Sequence, residues 1–206
     1  RMVEFPLYQL IGAGIVRLVP SLSIEVGLRL ITIVSVAATT ALLILMVSRF
    51  IDPLTGLLTG FIYAVLPYSI YFGRVILPEP FAVFWAMLSL YCLTRTGEAG
   101  EKTKMGTWIW LVLGGVTGAL ALLVKPTAGF LLLPVFYLLY RRFRLSPYLF
   151  IGLLIYWIIG VLPLAGWRQW ILQFPEGIPA FEWLLNDGNI RFKGAWFYWL
   201  FARRLA

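Results

Sequence analysis

Residues 71–85, YFGRVILPEPFAVFW, place a glutamate and an arginine between two apolar runs. The glutamate, Glu79, stands between two prolines, and Pro80 is expected to hold it in an extended conformation at the start of a helix. The positive end of a helix dipole favours an ionised carboxylate at that position. Glu79 is therefore a candidate to accept a proton from a hydroxyl group, although a helix-start acid with no further role gives the same pattern.

Three more charged residues stand alone in short connections. Arg74 can pair with Glu79 or bind a phosphate with two parallel hydrogen bonds, or it can lie at the membrane interface as a snorkelling arginine. Lys125 ends an apolar run and can face a lipid phosphate, or simply complement the end of a helix. Glu4 opens the segment EFPLYQL just before a helix, where function and helix-start propensity are equally good explanations.

The C-terminal part of the chain, residues 166–206, alternates charged residues with many tryptophans and phenylalanines. Aromatic residues at a membrane interface usually act as anchors, but they can also form walls for a sugar or an isoprenoid chain. The charged residues of this tail that we consider as candidates are Arg168, Asp187, Arg191 and Lys193.

The composition identifies a membrane protein. Of 206 residues, 61% are hydrophobic and 13% are charged, whereas soluble domains are about one quarter charged. The net charge of +8 comes mostly from residues at the ends of apolar runs, which suits lipid phosphates and not a nucleic acid. The chain has one cysteine, Cys92, and no histidine, which excludes a Ser-His-Asp triad and a histidine-ligated metal within it. A divalent metal held by other ligands stays open.

The apolar runs predict an all-α, polytopic transmembrane helix bundle. Residues 5–19 are too short and too polar to span, so we expect a helix lying at the interface. About six candidate spans follow within residues 24–164, and residues 166–206 form an outer-face segment. The six spans are 24–48, 54–72, 81–95, 108–124, 127–140 and 148–164.

We interpret residues 1–206 as a single domain that is truncated. The chain begins at Arg1 without an initiator methionine and ends inside an aromatic segment. We therefore expect an internal piece of a longer protein.

Basic residues in the short connections predict the orientation of the bundle. If every candidate span crosses the membrane, seven basic residues of the short connections fall on one face. That face is then cytoplasmic by the positive-inside rule. Glu4, Glu79 and Lys125 fall on the opposite face and are expected to meet there. The seven basic residues are Arg49, Arg95, Lys102, Lys104, Arg141, Arg142 and Arg144.

The order of four segments resembles the GT-C superfamily of membrane glycosyltransferases. An acidic entry, EFPLYQ, precedes a long span containing LRLITIVSVAATTALLI. The loop YFGRVILPEPFAVFW follows, and then a glycine-rich span that ends in ALALLVKPTAGFLLLPVFYLLY. The resemblance is closest to the branch with dolichyl-phosphate-mannose protein mannosyltransferases and the bacterial aminoarabinose transferase of lipid A.

This resemblance implies transfer of a sugar from a polyprenyl-phosphate donor to a glycan, lipid or protein at the non-cytoplasmic face, with inversion at the anomeric carbon. By position it implies catalytic roles for Glu79 and Glu4. Contacts to the donor phosphate are expected from Arg74, Lys125 and Arg168. Contacts to the acceptor or to lipid are expected from Tyr8, Gln9, Asp187, Arg191 and Lys193.

The family's main catalytic acid lies upstream of residue 1, so this piece alone is expected to be inactive. Compact loops suggest a prokaryotic plasma membrane. A transporter or lipid flippase is the alternative, although the nearly charge-free span centres count against it. A structural membrane subunit, for which the outer acids would be incidental, is a third possibility.

Overall fold

The computed structural model describes residues 4–97, 105–174, 189 and 192–203. Its internal contacts divide the chain into two compact units, residues 4–168 and residues 169–206 together with residues 1–3. The described residues form helices and connections and contain no strand, so the predicted all-α fold is confirmed. The prediction of a single domain over residues 1–206 stays a prediction.

The first unit is a helix bundle, and the elements are numbered in chain order. They are α1 (Leu7–Leu18), α2 (Ile24–Phe50), α3 (Pro53–Val65), α4 (Pro67–Phe72), α5 (Glu79–Arg95), α6 (Met105–Val124), a 3-10 helix (Pro126–Leu131), α7 (Leu132–Phe143) and α8 (Pro147–Ile171). The last residues of α8, from Gln169 onward, belong to the second unit. That unit also contains α9 (Gly194–Phe197) and a π-helical turn (Tyr198–Arg203).

Short polar residues and prolines set the helix ends. The Ser23 side chain accepts a hydrogen bond from the Val26 N–H and caps α2, as its position predicts. Asp52 caps α3 and accepts from the Thr55 N–H at 2.9 Å. The predicted span 54–72 consists of two helices, because Pro67 starts α4 and Leu66 before it is extended at ψ 129°.

Three helices are long and apolar enough to cross a membrane, judged by length and composition of the described residues: α2, α6 and α8. The helix α8 continues to Ile171, beyond the predicted end at residue 164, so residues 166–171 are helical. The first part of the predicted outer-face tail is therefore a continuation of the last long helix.

The predicted span 127–140 runs from one end of the bundle to the other. It begins beside Lys125, which follows the C-terminal end of α6. It ends near Arg142, whose Nη2 donates to Oγ1 of Thr107 in the first turn of α6 at 3.3 Å. Because the two ends of α6 lie on opposite sides of the bundle, the segment between them crosses it. The 3-10 helix and α7 together provide a length of about 30 Å.

The helix α6 lies inside the bundle. Over its most apolar stretch, 56% of the residues are buried, against 28% in α2 and 22% in α8. Its glycines permit this, because a Cβ added at Gly114 would lie 2.9 Å from Leu93. This glycine-rich helix therefore packs closely against α5. Ser89 of α5 donates to the Gly114 carbonyl at 2.7 Å and lies 3.0 Å from the Tyr156 hydroxyl, which ties α5, α6 and α8 together.

One of the buried clusters joins α1, α2, α5 and α6 near the start of α5. These side chains pack against the first turn of α5 and the last turn of α6. They therefore fix the positions of the residues that begin α5 and end α6. Its members are Tyr8, Ile31, Phe81, Ala82 and Val124.

Candidate active site

The structure brings Glu4, Lys125 and Glu79 together. Lys125 Nζ lies 2.7 Å from Glu4 Oε1 and 2.9 Å from Glu79 Oε1. The three side chains are partly exposed, with 21% of the Lys125, 35% of the Glu4 and 41% of the Glu79 side chain accessible. The expected meeting of these residues, which are far apart in the sequence, is therefore observed.

The position of Lys125 follows from the proline after it. Lys125 is extended, with φ −143° and ψ 109°, between the end of α6 and the 3-10 helix that begins at Pro126. A proline disfavours the helical conformation at the preceding residue, so α6 must end here. The Lys125 N–H still donates to the Ala121 carbonyl at 2.9 Å, which holds the lysine directly over the end of α6.

Glu79 is the first residue of α5. The sequence predicted an extended residue just before the helix, but Pro78 is the N-terminal flanking residue and Pro80 occupies the first turn. The prolines begin the helix one residue earlier than expected, since a proline in the first turn loses no hydrogen bond. The carboxylate nevertheless lies at the positive end of the helix dipole, as predicted.

Glu4 is held by its neighbour Phe5. The Phe5 N–H donates to the carbonyl of Leu123, two residues before Lys125, at 3.0 Å. The Phe5 ring meets the Trp167 ring edge-on with 4.9 Å between centroids. This contact places the last part of α8, including the half-buried Arg168, at the same end of the bundle as Glu4.

Arg74 does not pair with Glu79. Its side chain is exposed in the loop after α4, and Glu79 pairs with Lys125 instead. Pairing with Glu79, one of the roles that the sequence allowed for Arg74, is therefore not observed. The other role that the sequence allowed for Arg74, contact with a donor phosphate, stays a prediction.

The two carboxylates determine the charge state of Lys125. Burial works to lower the pKa of Lys125, but the hydrogen bonds and charges of Glu4 and Glu79 outweigh burial and raise it above its usual 10.5. The stability that this interaction contributes is present below pH 10.5 and is lost only as the pH rises through the raised value. Lys125 is thus an ammonium at neutral pH.

The second oxygen of Glu79 faces a different environment. Oε2 is buried and has no hydrogen-bond partner among the described residues. Glu79 also lines an almost wholly apolar cavity of about 140 Å³, next to the aromatic side chains of Tyr63, Tyr68 and Phe72. One edge of the carboxylate therefore binds Lys125, and the other is left for a hydrogen-bond donor that this part of the chain does not supply.

The Lys125 ammonium occupies the position between one oxygen of Glu4 and one oxygen of Glu79. Among the residues that the structure describes, no three His, Cys, Asp or Glu side chains come together as metal ligands.

Tyr8 is part of the core and does not fit its predicted contact with an acceptor or lipid. It is 2% exposed, and its hydroxyl donates to the Leu28 carbonyl at 2.9 Å and lies 2.8 Å from Thr32 Oγ1. Burial and the charge of Glu79 raise the pKa of Tyr8, against the opposing effect of the Thr32 hydrogen bond. Tyr8 fastens α1 to α2, whereas its neighbour Gln9 is exposed.

Replacing Tyr8 with phenylalanine is therefore expected to weaken the fold and not the reaction. The loss of the hydroxyl should cost about 1 kcal/mol of unfolding free energy, and sugar transfer per folded molecule should stay within about twofold. Thermal unfolding in detergent and a transfer assay on the same preparation measure both. Tyr137→Phe, at a residue with 60% exposure, is the matched control. A large loss of transfer at unchanged stability would show that Tyr8 contacts a ligand.

Three other predicted contacts belong to the C-terminal part of the chain. Asp187 and Arg191 lie outside the described residues. Lys193 precedes α9 in the second unit, where it is exposed and its carbonyl accepts from the Trp196 N–H at 2.9 Å. Their predicted role in binding the acceptor or lipid stays a prediction.

Sequence reasoning missed the role of Lys125 as a bridge between two acids. The sequence contained an indication of this bridge, because two acids and one base were expected on the same face. Opposite charges attract each other at short range, so the base was expected to pair with the acids. The aromatic cavity beside Glu79 was also missed. Its aromatic residues come from α3 and α4, and nothing in their spacing indicates that they reach the start of α5.

Comparison with known proteins identifies the family of the chain. Comparisons with curated proteins and with solved structures gave no match. The profile of the dolichyl-phosphate-mannose-protein mannosyltransferase family matches residues 15–201, which is most of the chain and includes the segments that carry Glu79 and Lys125. The chain is thus an integral membrane protein that belongs to the dolichyl-phosphate-mannose-protein mannosyltransferase family of GT-C membrane glycosyltransferases.

Proposed function

We propose that the protein transfers a sugar from a polyprenyl-phosphate donor to an acceptor hydroxyl at the non-cytoplasmic membrane face, with inversion. The family supports glycosyl transfer from such a donor. The single observation that carries the finer proposal is the meeting of Glu4, Lys125 and Glu79 at one end of the bundle.

The reaction is a single displacement. The acceptor oxygen attacks the anomeric carbon, the bond from that carbon to the phosphate oxygen breaks, and the acceptor proton passes to a carboxylate. Because one displacement inverts the anomeric centre, the protein needs no nucleophile of its own. The products are the glycosylated acceptor and the polyprenyl phosphate.

Glu79 is the described residue best arranged to bind the acceptor hydroxyl. Its Oε2 has no donor within the described chain, and it lies beside an apolar, aromatic cavity. Lys125 holds the other oxygen, which fixes the direction in which the free oxygen points. Glu4 shares the same ammonium and so positions Glu79 through Lys125.

Cations are needed for the negative charge that grows on the leaving phosphate. Lys125 is already engaged by two carboxylates, so its geometry favours a positioning role over a phosphate contact. Arg74 in the loop after α4 and Arg168 at the end of α8 are the remaining candidates for this contact. We retain both as donor-phosphate residues.

The orientation rests on the arginines. Arg49, Arg95 and Arg142 lie at helix ends opposite Glu79 and Lys125, and basic residues favour the cytoplasmic side of short connections. The acids and Lys125 are then on the non-cytoplasmic face. We place the protein in a prokaryotic plasma membrane.

The test is a transfer assay with the complete protein in sealed proteoliposomes. A radiolabelled polyprenyl-phosphate sugar is supplied with glycan, lipid and protein acceptors in separate reactions, and the anomeric configuration of the product is measured. Transfer with inversion supports the proposal, and so does labelling from the non-cytoplasmic side only. Retention of configuration, or movement of the intact donor across the bilayer without transfer, would contradict it.

A further inference from the structure

The cavity beside Glu79 is formed by α2, α3, α4 and the start of α5. Its lining residues lie within residues 36–83, a range that the structure describes without a gap. The volume is about 140 Å³, and the aromatic lining consists of Tyr63, Tyr68 and Phe72. A cavity of about 150 Å³ with an apolar lining is large enough for benzene. The cavity beside Glu79 therefore has room for one six-membered ring.

Two aromatic rings of α4 form one wall of this cavity. The rings of Tyr68 and Phe72 are tilted against each other with 4.3 Å between their centroids, and Tyr68 is 68% exposed. The cavity thus reaches the surface of the protein at Tyr68. Aromatic side chains present a flat apolar surface, and a tyrosine adds a hydroxyl group at its tip. This wall suits a ligand that has a flat apolar face.

Glu79 adds a polar requirement to this cavity. Its Oε2 is buried and finds no hydrogen-bond donor among the described residues, while its Oε1 lies 2.9 Å from Lys125 Nζ. A buried acceptor without a donor is unfavourable, so a ligand that donates a hydrogen bond to Oε2 gains from that contact. A fitting ligand therefore combines a hydroxyl group with an apolar face of about the size of one ring.

The possible classes of acceptor differ in how well they meet these two requirements. A phosphate acceptor is an anion, and the Glu79 carboxylate would repel it. A serine or threonine hydroxyl is carried by one or two side-chain carbons, which leave most of the cavity empty. A pyranose sugar has a six-membered ring, a face of C–H groups and hydroxyl groups on most of its carbons. It can fill the cavity and donate to Oε2 at the same time.

A tyrosine phenol also has a ring and a hydroxyl group, but it has only one hydroxyl. Ser69, Tyr63 and Tyr68 contribute hydroxyl-bearing side chains to the lining of the cavity. Such a lining suits a ligand with several hydroxyl groups, because each buried polar group needs a partner. The chemistry of the lining therefore favours a sugar over a phenol.

We propose that this cavity binds the acceptor, and that the acceptor is a sugar. Its ring packs against Tyr68 and Phe72, and one of its hydroxyl groups donates to Glu79 Oε2. The assignment rests on the proposed sugar transfer and narrows the acceptor of that reaction to a saccharide. The hydroxyl on Glu79 is the one that attacks the anomeric carbon of the donor, and its proton passes to the Glu79 carboxylate. Tyr68 is then a residue that determines acceptor specificity.

The first test compares classes of acceptor with the complete protein and a labelled polyprenyl-phosphate sugar. The acceptors are methyl glycosides of glucose, mannose and galactose, a threonine peptide and a tyrosine peptide, each in a separate reaction. We expect label on at least one methyl glycoside and much less on either peptide. Transfer with inversion to a peptide and to no methyl glycoside would overturn the saccharide assignment and leave the proposed sugar transfer intact. Unreacted donor with every acceptor would contradict both.

Substitutions of Tyr68 provide the second test. Tyr68→Ala removes one wall of the cavity and should raise the Michaelis constant for the methyl glycoside about tenfold, while that for the donor stays within about twofold. Tyr68→Phe keeps the ring, so its Michaelis constant for the glycoside should stay within about threefold of the wild type. Thermal unfolding of each variant shows whether the fold is retained.

Tyr71→Ala is the matched control for Tyr68→Ala. Tyr71 is 64% exposed, and its ring also contacts Phe72, with 5.1 Å between centroids. Tyr71 is not among the described residues that line the cavity, so we expect wild-type Michaelis constants from this variant. An unchanged constant for the glycoside in Tyr68→Ala, or an equal rise in Tyr71→Ala, would overturn the proposal.

Discussion

Sugar transfer is expected to fall by about 100-fold or more when Glu79 is replaced by glutamine. The substitution keeps the shape of the side chain and removes its charge and its ability to accept the acceptor proton. An amide also presents a donor where the acceptor hydroxyl must donate. Because Lys125 keeps Glu4 as a partner, the fold should survive the change.

A matched control is available in α2. Glu25 is an exposed acid in the first turn of that helix, and Glu25→Gln makes the same chemical change at a helix start. We expect wild-type transfer from this control. Turnover at saturating donor and acceptor should fall in Glu79→Gln more than the Michaelis constants change, since the lost interaction belongs to the reacting hydroxyl. Wild-type turnover in the Glu79→Gln variant would show that Glu79 does not accept the proton of the acceptor hydroxyl.

The helices and their ends could largely be predicted, because they depend on patterns along the chain. Apolar runs predicted α2, α6 and α8. Pro126 and Ser23 act on adjacent residues, so their effects were also predictable. The exceptions are local as well: Pro67 separates two helices and does not merely bend one.

The end of the bundle at which the acids and Lys125 lie was predictable for a different reason. Helices that cross a bundle in alternating directions bring every second connection to the same end. Glu4, Glu79 and Lys125 therefore had to lie on one face if each predicted span crossed. This fits the order of the elements, because α2 and the pair α3 and α4 lie between Glu4 and Glu79, and α5 and α6 lie between Glu79 and Lys125.

The partner of each side chain could not be predicted in this way. Arg74 is five residues from Glu79 and Lys125 is far away in sequence, yet Lys125 is the partner, because it is fixed over the end of α6 while Arg74 is exposed. Tyr8 and Gln9 are neighbours after the same proline, but the direction of α1 relative to α2 decides which of them is buried. Such choices depend on packing between elements, which hydropathy does not encode.

Lys125→Gln should have the second large effect, because it removes the cation that two carboxylates share. Glu4 and Glu79 then face each other without compensation and resist being ionised together. We expect transfer to fall by at least about tenfold at neutral pH. The acidic limb of the pH–rate profile should move to higher pH, since a carboxylate must be ionised to accept the proton.

The arginine variant distinguishes positioning from phosphate binding. Lys125→Arg keeps the positive charge between the acids, so it should restore the position of the acidic limb even if turnover recovers only in part. If Lys125 bound the donor phosphate instead, Lys125→Gln would raise the Michaelis constant for the donor and leave the acidic limb where it is in the wild type. A shift in the pH profile that Lys125→Arg reverses therefore indicates that Lys125 acts through Glu79. If Lys125→Gln leaves the pH profile unchanged, Lys125 is instead assigned to the donor phosphate.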